Sequence, residues 1–189
     1  MKIVISCHCD TVYTQPYAIF KDGIVEGAND NFASIMAASS VIGDPIWRQI
    51  NLELQLTEDE EMYMDGAKNI ATKNNTKDTL IIVMDVTEAH PGRNNLFTIE
   101  NLHEIKPSEI KKALKGHAYR ILKEGTQSEA WLYAEKDFSV FEICVPIKGG
   151  CHNLQSKAAV ESIVAVGKAL ISLITYFKDK EISAIREPD

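Results

Sequence analysis

Residues 79–84 read Thr-Leu-Ile-Ile-Val-Met, a continuous apolar run, and Asp85 follows at once. A strand without polar alternation is one covered on both faces, as in the middle of a parallel sheet. On either side of it, short apolar runs alternate with helical patterns, which predicts an α/β fold. Residues 2–7 read as a first buried strand, 51–56 as a strand of alternating polarity, and 138–146 as another strand. Helical spacing predicts helices over 31–42, 62–72 and 157–177. The last of these buries Ala158, Ile163, Val166, Ala169, Leu170 and Leu173. Between 91 and 125 the pattern is weaker. It predicts a helix over 107–115, with Pro107 in the first turn where its missing donor is harmless, and a strand over 118–122. The lysines of that helix read as a solvated face. The expected architecture is a three-layer α/β/α domain with a mixed, largely parallel central sheet.

The composition agrees with a globular chain. It has 189 residues, 45% hydrophobic and 25% charged, enough for one domain with a sizeable core. Lys and Arg number 20 against 27 Asp and Glu, a formal charge of −7. Such a chain repels phosphate, so nucleic acid and anionic membranes are not the expected partners. No secretory leader is expected, because Met1 opens directly into the first strand. No apolar run is expected to span a bilayer. Four cysteines are too few for a disulfide scaffold, so a reduced, cytoplasmic protein is the expectation.

The positions of acids and histidines carry the chemistry. His8 and Asp10 follow the first strand, and Asp30 lies between a Gly-Ala-Asn turn and a helix. Glu58, Asp59, Glu60 and Glu61 follow the second strand, Asp85 follows the 79–84 run, and His152 follows the 138–146 strand and a Gly149-Gly150 turn. Singly, His8 also reads as a core histidine, Asp30 as a helix cap, the acidic run as a solvated loop, Asp85 as a turn cap and His152 as a surface residue. As a set they lie at the carboxyl ends of strands, which converge on one crevice in an open α/β sheet. Two imidazoles with three or four carboxylates in one place are costly without a cation. That donor ratio suits zinc, manganese or cobalt, and two ions rather than one. His8 and Asp10 share one strand face while Cys7 and Cys9 face the other, which argues against a Cys7/Cys9 zinc site.

Five motifs in order resemble the zinc-dependent exopeptidases with a co-catalytic metal pair, a superfamily of aminopeptidases, carboxypeptidases and deacylases. They are His8-Cys9-Asp10-Thr11-Val12, Gly27-Ala28-Asn29-Asp30-Asn31, Glu60-Glu61 with Gly66-Ala67, Asp85-Val86-Thr87, and Gly149-Gly150-Cys151-His152-Asn153. The resemblance implies a dinuclear metallo-exopeptidase. His8 and Asp85 would bind one ion, Glu61 and His152 the other, and Asp30 would bridge them. Asp10 would fix the His8 tautomer, and Glu60 would be general base and then general acid in amide hydrolysis.

The chain is shorter than its relatives, which often carry elements before the first strand and a lid or dimerisation domain. Residues 1–189 are therefore expected to form a single catalytic domain without either. The lid's oxyanion-stabilising histidine has no clear counterpart; His90 and His117 are candidates that also read as surface residues. Gly125-Thr126-Gln127-Ser128-Glu129 stands where relatives place a Gly-Thr-Asp or Ser-Asp turn. The expected function is an aminopeptidase acting on a peptide or small amide, with a homo-oligomer allowed. The competing readings are a carboxypeptidase or N-acyl deacylase, a catalytically silent metal-binding module, and a structural protein with solvated acids.

Overall fold

Thr79–Thr87 is buried at every position and has a parallel neighbour on each side. The computed structural model describes residues 1–48, 51–122, 125 and 127–187. In chain order its strands are β1 (Lys2–His8), β2 (Ala18–Lys21), β3 (Ile24–Gly27), β4 (Leu52–Thr57), β5 (Thr79–Thr87), β6 (Phe97–His103), β7 (Tyr119–Ile121), β8 (Ser139–Lys148) and β9 (Lys157–Ala159). Its α-helices are α1 (Asn29–Ile42), α2 (Asp65–Lys73), α3 (Pro107–Ala113), α4 (Glu129–Glu135), α5 (Val160–Phe177) and α6 (Ile182–Ile185).

The strand order is β2-β3-β9-β8-β5-β1-β4, with β6 also on β8 and β7 on β6. The block β4, β1, β5, β8 is parallel, while β6 and β9 run antiparallel to β8. This is the expected mixed sheet. Helices cover both faces. On one side Ile3, Ile5, Ile82, Met84 and Phe141 pack with Ala37, Val166 and Leu170 of α1 and α5. On the other, Val4, Ile81, Val83 and Val140 pack with Ala67 and Ile70 of α2 and Tyr133 of α4. Each fully buried aliphatic or aromatic side chain contributes about 1.5–3 kcal/mol of transfer free energy.

Several boundaries differ from the expectation, each for a physical reason. The 157–177 helix begins only at Val160, because Lys157–Ala159 pairs with both β3 and β8 as a strand. The 62–72 helix begins at Asp65, because the backbone N–H groups of Met62, Tyr63 and Met64 all donate to Asp59 O and form a turn first. Asp59 and Met64 have positive φ, which ends helical continuity there. α1 includes Asn29, but Asp30 and Asn31 have non-helical backbone and are joined by a cis peptide. α5 also corrects the membrane expectation, since its length and composition suffice to cross a bilayer. Here it packs on α1 and the sheet, with Val166, Ala169, Leu170 and Leu173 fully buried.

Candidate metal centre

The sheet aims the acids and histidines at one place. β1 ends in His8, β4 leads to the Glu58–Glu61 turn, β5 carries Asp85 near its end, and Asp30 lies in the first turn of α1. Two glycines make these approaches possible. A Cβ on Gly27 would lie 2.1 Å from Tyr17 O, so only glycine lets the turn before Asp30 pass under the loop after β1. A Cβ on Gly66 would lie 2.7 Å from Glu58 N and 2.8 Å from Thr57 Cβ. Gly66 thus lets α2 sit directly against the acidic turn, where Gly66 N donates to Glu58 O at 3.1 Å. Asn29 locks the other side, its Nδ2 donating to Val25 O at 3.1 Å and to Ser156 O at 2.9 Å. Asn31 Nδ2 donates to Met84 O at 2.8 Å, fastening the start of α1 to β5.

Between these anchors Asp30 faces two histidines with two different oxygens. Its Oδ1 is 3.1 Å from His8 Nε2 and its Oδ2 is 3.6 Å from His152 Nε2. Asp85 Oδ1 is 3.5 Å from the same His8 nitrogen, and Glu61 Oε2 is 2.9 Å from His152 Nε2. The donor atoms fall into three overlapping groups, His8/Asp30/Asp85, Asp30/Glu61/His152 and His8/Glu60/Glu61, each within 4.8 Å. Glu60 lies within the same distance of His8 and Glu61. Asp10 stands behind His8, with Oδ1 3.4 Å from Nδ1, and its Oδ2 accepts from Glu61 N at 3.3 Å.

His8, Asp30 and Asp85 are buried, while the His152 side chain is 57% exposed. The centre is therefore deep on one side and open on the other. A cavity of about 450 Å³ is lined by all of these donors except Asp10, with Glu60, Met62 and Gln127 on its wall. Asp30 Oδ1 and Glu61 Oε1 are buried and make no hydrogen bond. Buried acceptors of this kind need a cationic or donor partner. Nitrogen and oxygen donors shared through one carboxylate fit a pair of divalent ions.

The electrostatics follow from burial among like charges. Burial and the negative charges of Asp85, Glu61 and Glu129 push the Glu60 carboxyl up to about 8, against the pull of His8. Burial also raises Asp85 and Glu61, with Asp30 adding to both. Asp10 goes the other way. Its partial burial is outweighed by His8 and by the Glu61 and Glu60 amides, which hold it down to about 2. Burial disfavours a charged His8, but Asp10, Asp30 and Asp85 outweigh it and hold the imidazole well above its ordinary range.

All seven sequence-derived positions, His8, Asp10, Asp30, Glu60, Glu61, Asp85 and His152, thus meet at one sheet end. The two lid-histidine candidates do not join them. His90 is exposed and its Nδ1 accepts from Gly92 N, while His117 bonds Ser172 Oγ and meets the edge of Phe97. Cys7 is buried and Cys9 exposed. Of the Gly-Thr-Gln-Ser-Glu stretch, Thr126 lies outside the described residues, Gln127 lines the cavity and Ser128 caps α4. Sequence reading overlooked Glu88, whose Oε1 accepts from Cys151 N at 3.1 Å and ties the His152 turn to β5. Asn31 closes the Gly27–Asn31 motif, but its role as the tie to β5 was not read from it. Glu88 lies in no spacing that marks its role.

Among solved structures, the chain resembles aminopeptidase PepT of Bacillus cereus with a TM-score of 0.70 and 12% identity, over 93% of this chain and 80% of that one. The TET1 peptidase of Pyrococcus horikoshii superposes with a TM-score of 0.65 at 16% identity, over 84% of this chain and 52% of that one. Aminopeptidase APDkam598 of Desulfurococcus kamchatkensis gives 0.65 at 13% identity, over 92% and 55%. These likenesses show the fold, and the chain spans about half the length of two of the three. No curated protein sequence matches it. The model of "Peptidase family M28" matches residues 1–149, ending just short of His152. That match covers more than half of the sequence and takes in six of the seven clustered residues, so the chain belongs to peptidase family M28.

Proposed function

We propose that the chain is a dinuclear metallo-exopeptidase, an aminopeptidase in one domain. The observation that carries this reading is Asp30, whose two oxygens face two separate histidine–carboxylate sets. In this reading His8 and Asp85 hold one divalent ion, Glu61 and His152 hold the other, and Asp30 holds both. Zinc suits the donor set, with manganese or cobalt as substitutes. Such a pair, when bound, acidifies a water and polarises an amide carbonyl.

The protein's own groups do the rest. Glu60 takes a proton from the attacking water and returns it to the leaving amine. It lies on the cavity wall within reach of both His8 and Glu61, where a proton can pass between water and the leaving amine. Asp10 Oδ1 stands 3.4 Å behind His8 Nδ1 and favours the orientation in which Nε2 faces the metal side. The open flank at His152 gives a peptide end access to the cavity. Assembly into a homo-oligomer is part of the proposal, supported by the dodecamer reported for PhTET1. A cytoplasmic setting is likewise proposed, on four unpaired cysteines.

The test is hydrolysis of a mixed set of short peptides with zinc, manganese or cobalt, read by mass spectrometry. Chelator-sensitive loss of N-terminal residues is expected. C-terminal loss moves the protein to the carboxypeptidases. Cleavage of acylated amides alone makes it a deacylase, and two bound ions without any turnover make it a silent binding module.

A further inference from the structure

The sheet ends in β4, whose far edge has no strand beside it among the described residues. Sheet edges are commonly protected by shortness, by lysine or proline, or by a bulge. At the opposite end β2 has four residues and closes on Lys21, and β7 has three. β4 has six residues, Leu-Glu-Leu-Gln-Leu-Thr, with neither lysine nor proline and an unbroken register on β1. A groove of about 450 Å³ between β4 and Asn69, Ile70 and Lys73 of α2 leaves the edge clear of that helix. Ile3 N donates to Asn51 O and Cys9 N to Thr57 O, both at 2.9 Å. Odd positions along β4 therefore turn their backbone groups to β1, and Leu52, Leu54 and Leu56 turn theirs outward. Leu52 and Leu54 pack on the α1 side of the sheet, and Leu56, on the same face, is 54% exposed.

We propose that β4 pairs with β4 of a second copy of this chain, antiparallel and centred on Leu54. The centred register sets Leu54 opposite Leu54 and Leu52 opposite Leu56. All three present outward backbone groups, for about six hydrogen bonds, two in each of three pairs. The exposed Leu56 side chain then lies beside an apolar neighbour. On the α2 face, Glu53 of each copy comes opposite Gln55 of the other. Gln55 Nε2 already donates to its own Glu53 Oε2 at 3.2 Å, and Lys2 Nζ stands 2.7 Å from Glu53 Oε1. The pair across the axis is thus an amide donor against a partly balanced carboxylate. Centring on Glu53 instead sets two glutamates directly opposite each other, which is unfavourable. Centring on Gln55 sets Leu52 against Glu58, past the end of the strand. Charge and pattern therefore select one register. The pairing gives the homo-oligomer proposed above its contact face and does not rest on the peptidase reading.

The test uses the full chain with zinc. Sedimentation equilibrium is expected to give twice the chain mass at high concentration and the monomer on dilution. Hydrogen exchange read by NMR is expected to be about tenfold slower in the dimer at the Leu52, Leu54 and Leu56 amides. The Glu53 and Gln55 amides, which face β1, are expected to be slow in both states. Leu56→Lys, a charge at an already exposed position, should raise the dimer Kd about tenfold. Gln55→Lys, set against Glu53, should lower it about threefold. Circular dichroism checks that both variants fold. A monomer at every concentration, a dimer whose three outward amides stay fast, or folded variants with unchanged Kd each overturn the proposal. A chain that stays monomeric while the strand-forming peptide KVTVTK slows those amides has a peptide site at this edge, which equally overturns self-pairing. Peptide hydrolysis is followed in the same samples, and its absence refutes only the peptidase reading.

Discussion

Replacing Asp30 with Asn tests the centre at the point where its two halves join. The change is nearly isosteric, but one oxygen becomes an amide nitrogen that cannot bind a cation, and a negative charge is lost. Asp30 is the only residue common to the His8/Asp85 and Glu61/His152 groups. One substitution should therefore weaken both ions, whereas His152→Ala should weaken one. Even groups that merely orient a ligand change metal affinity 10- to 100-fold, so about 100-fold is a modest expectation for the ligand itself. At zinc about 100 times the wild-type Kd, one ion stabilises the fold by about 2.7 kcal/mol, which falls to about 0.4 kcal/mol when Kd rises 100-fold. In a chain of this length each kcal/mol moves Tm by about 2–4 °C, so zinc should raise the wild-type Tm by about 5–11 °C per ion and the variant's by about 1–2 °C. Melts in zinc against melts in EDTA read the shift, and elemental analysis after gel filtration counts the ions. Asp30→Asn that keeps two ions and the full zinc-induced shift refutes the bridging role. A zinc shift lost equally in Asp30→Asn and His152→Ala refutes the two-site division.

Three other perturbations separate chemistry, geometry and plain stability. Glu60→Gln removes the proposed proton carrier, so kcat should fall by about 10²–10⁴ while the zinc content stays unchanged, by parallel kinetics and elemental analysis. Gly66→Ala drives a Cβ to 2.7 Å from Glu58 N; the overpacking should cost about 1–3 kcal/mol and loosen the Glu61-side ion, seen as a lower Tm and a weaker zinc titration. Glu109 bonds Lys112, Tyr176 and Lys180, and the Lys112 contact outweighs desolvation to hold its carboxyl down to about 2. Because the folded state lowers this pKa, its stabilisation is present above the ordinary carboxylate range and fades as pH falls toward 2. Glu109→Gln should therefore lower Tm by a few degrees at pH 7 and by progressively less in acid; a constant difference from pH 7 to pH 2.5 contradicts the assignment.

The candidate site was legible because each of its residues stands at the end of an element that local pattern reveals. Asp85 closes the apolar run of β5, His8 ends β1, and the Glu60-Glu61 pair follows β4. What local pattern hid was decided by partners far away in sequence. β9 reads as the first turn of α5, because Lys157-Ala158-Ala159 suits a helix as well as a strand; only pairing to Ile24 and Ile147 makes it extended. The β2–β3 hairpin had a usable signal in Asp22-Gly23, both at positive φ, the two-residue turn that joins twisted strands. β6 was hidden by its acid. Glu100 sits opposite Glu142 of β8 with both fully buried, and a buried glutamate in Phe97–His103 reads locally as loop. Glu142 is made tolerable by Asn101, whose Nδ2 donates to it at 2.6 Å. Glu129 of α4 is made tolerable by Ser6 Oγ, 123 residues away and also 2.6 Å distant. A buried carboxylate costs several kcal/mol unless such donors reach it. Its place in the core is therefore a property of a pair of positions. The metal donors escape this obscurity because all but Asp30, in the first turn of α1, follow a strand toward one cavity, while the motif resemblance picks Glu60 and Glu61 out of the acidic run.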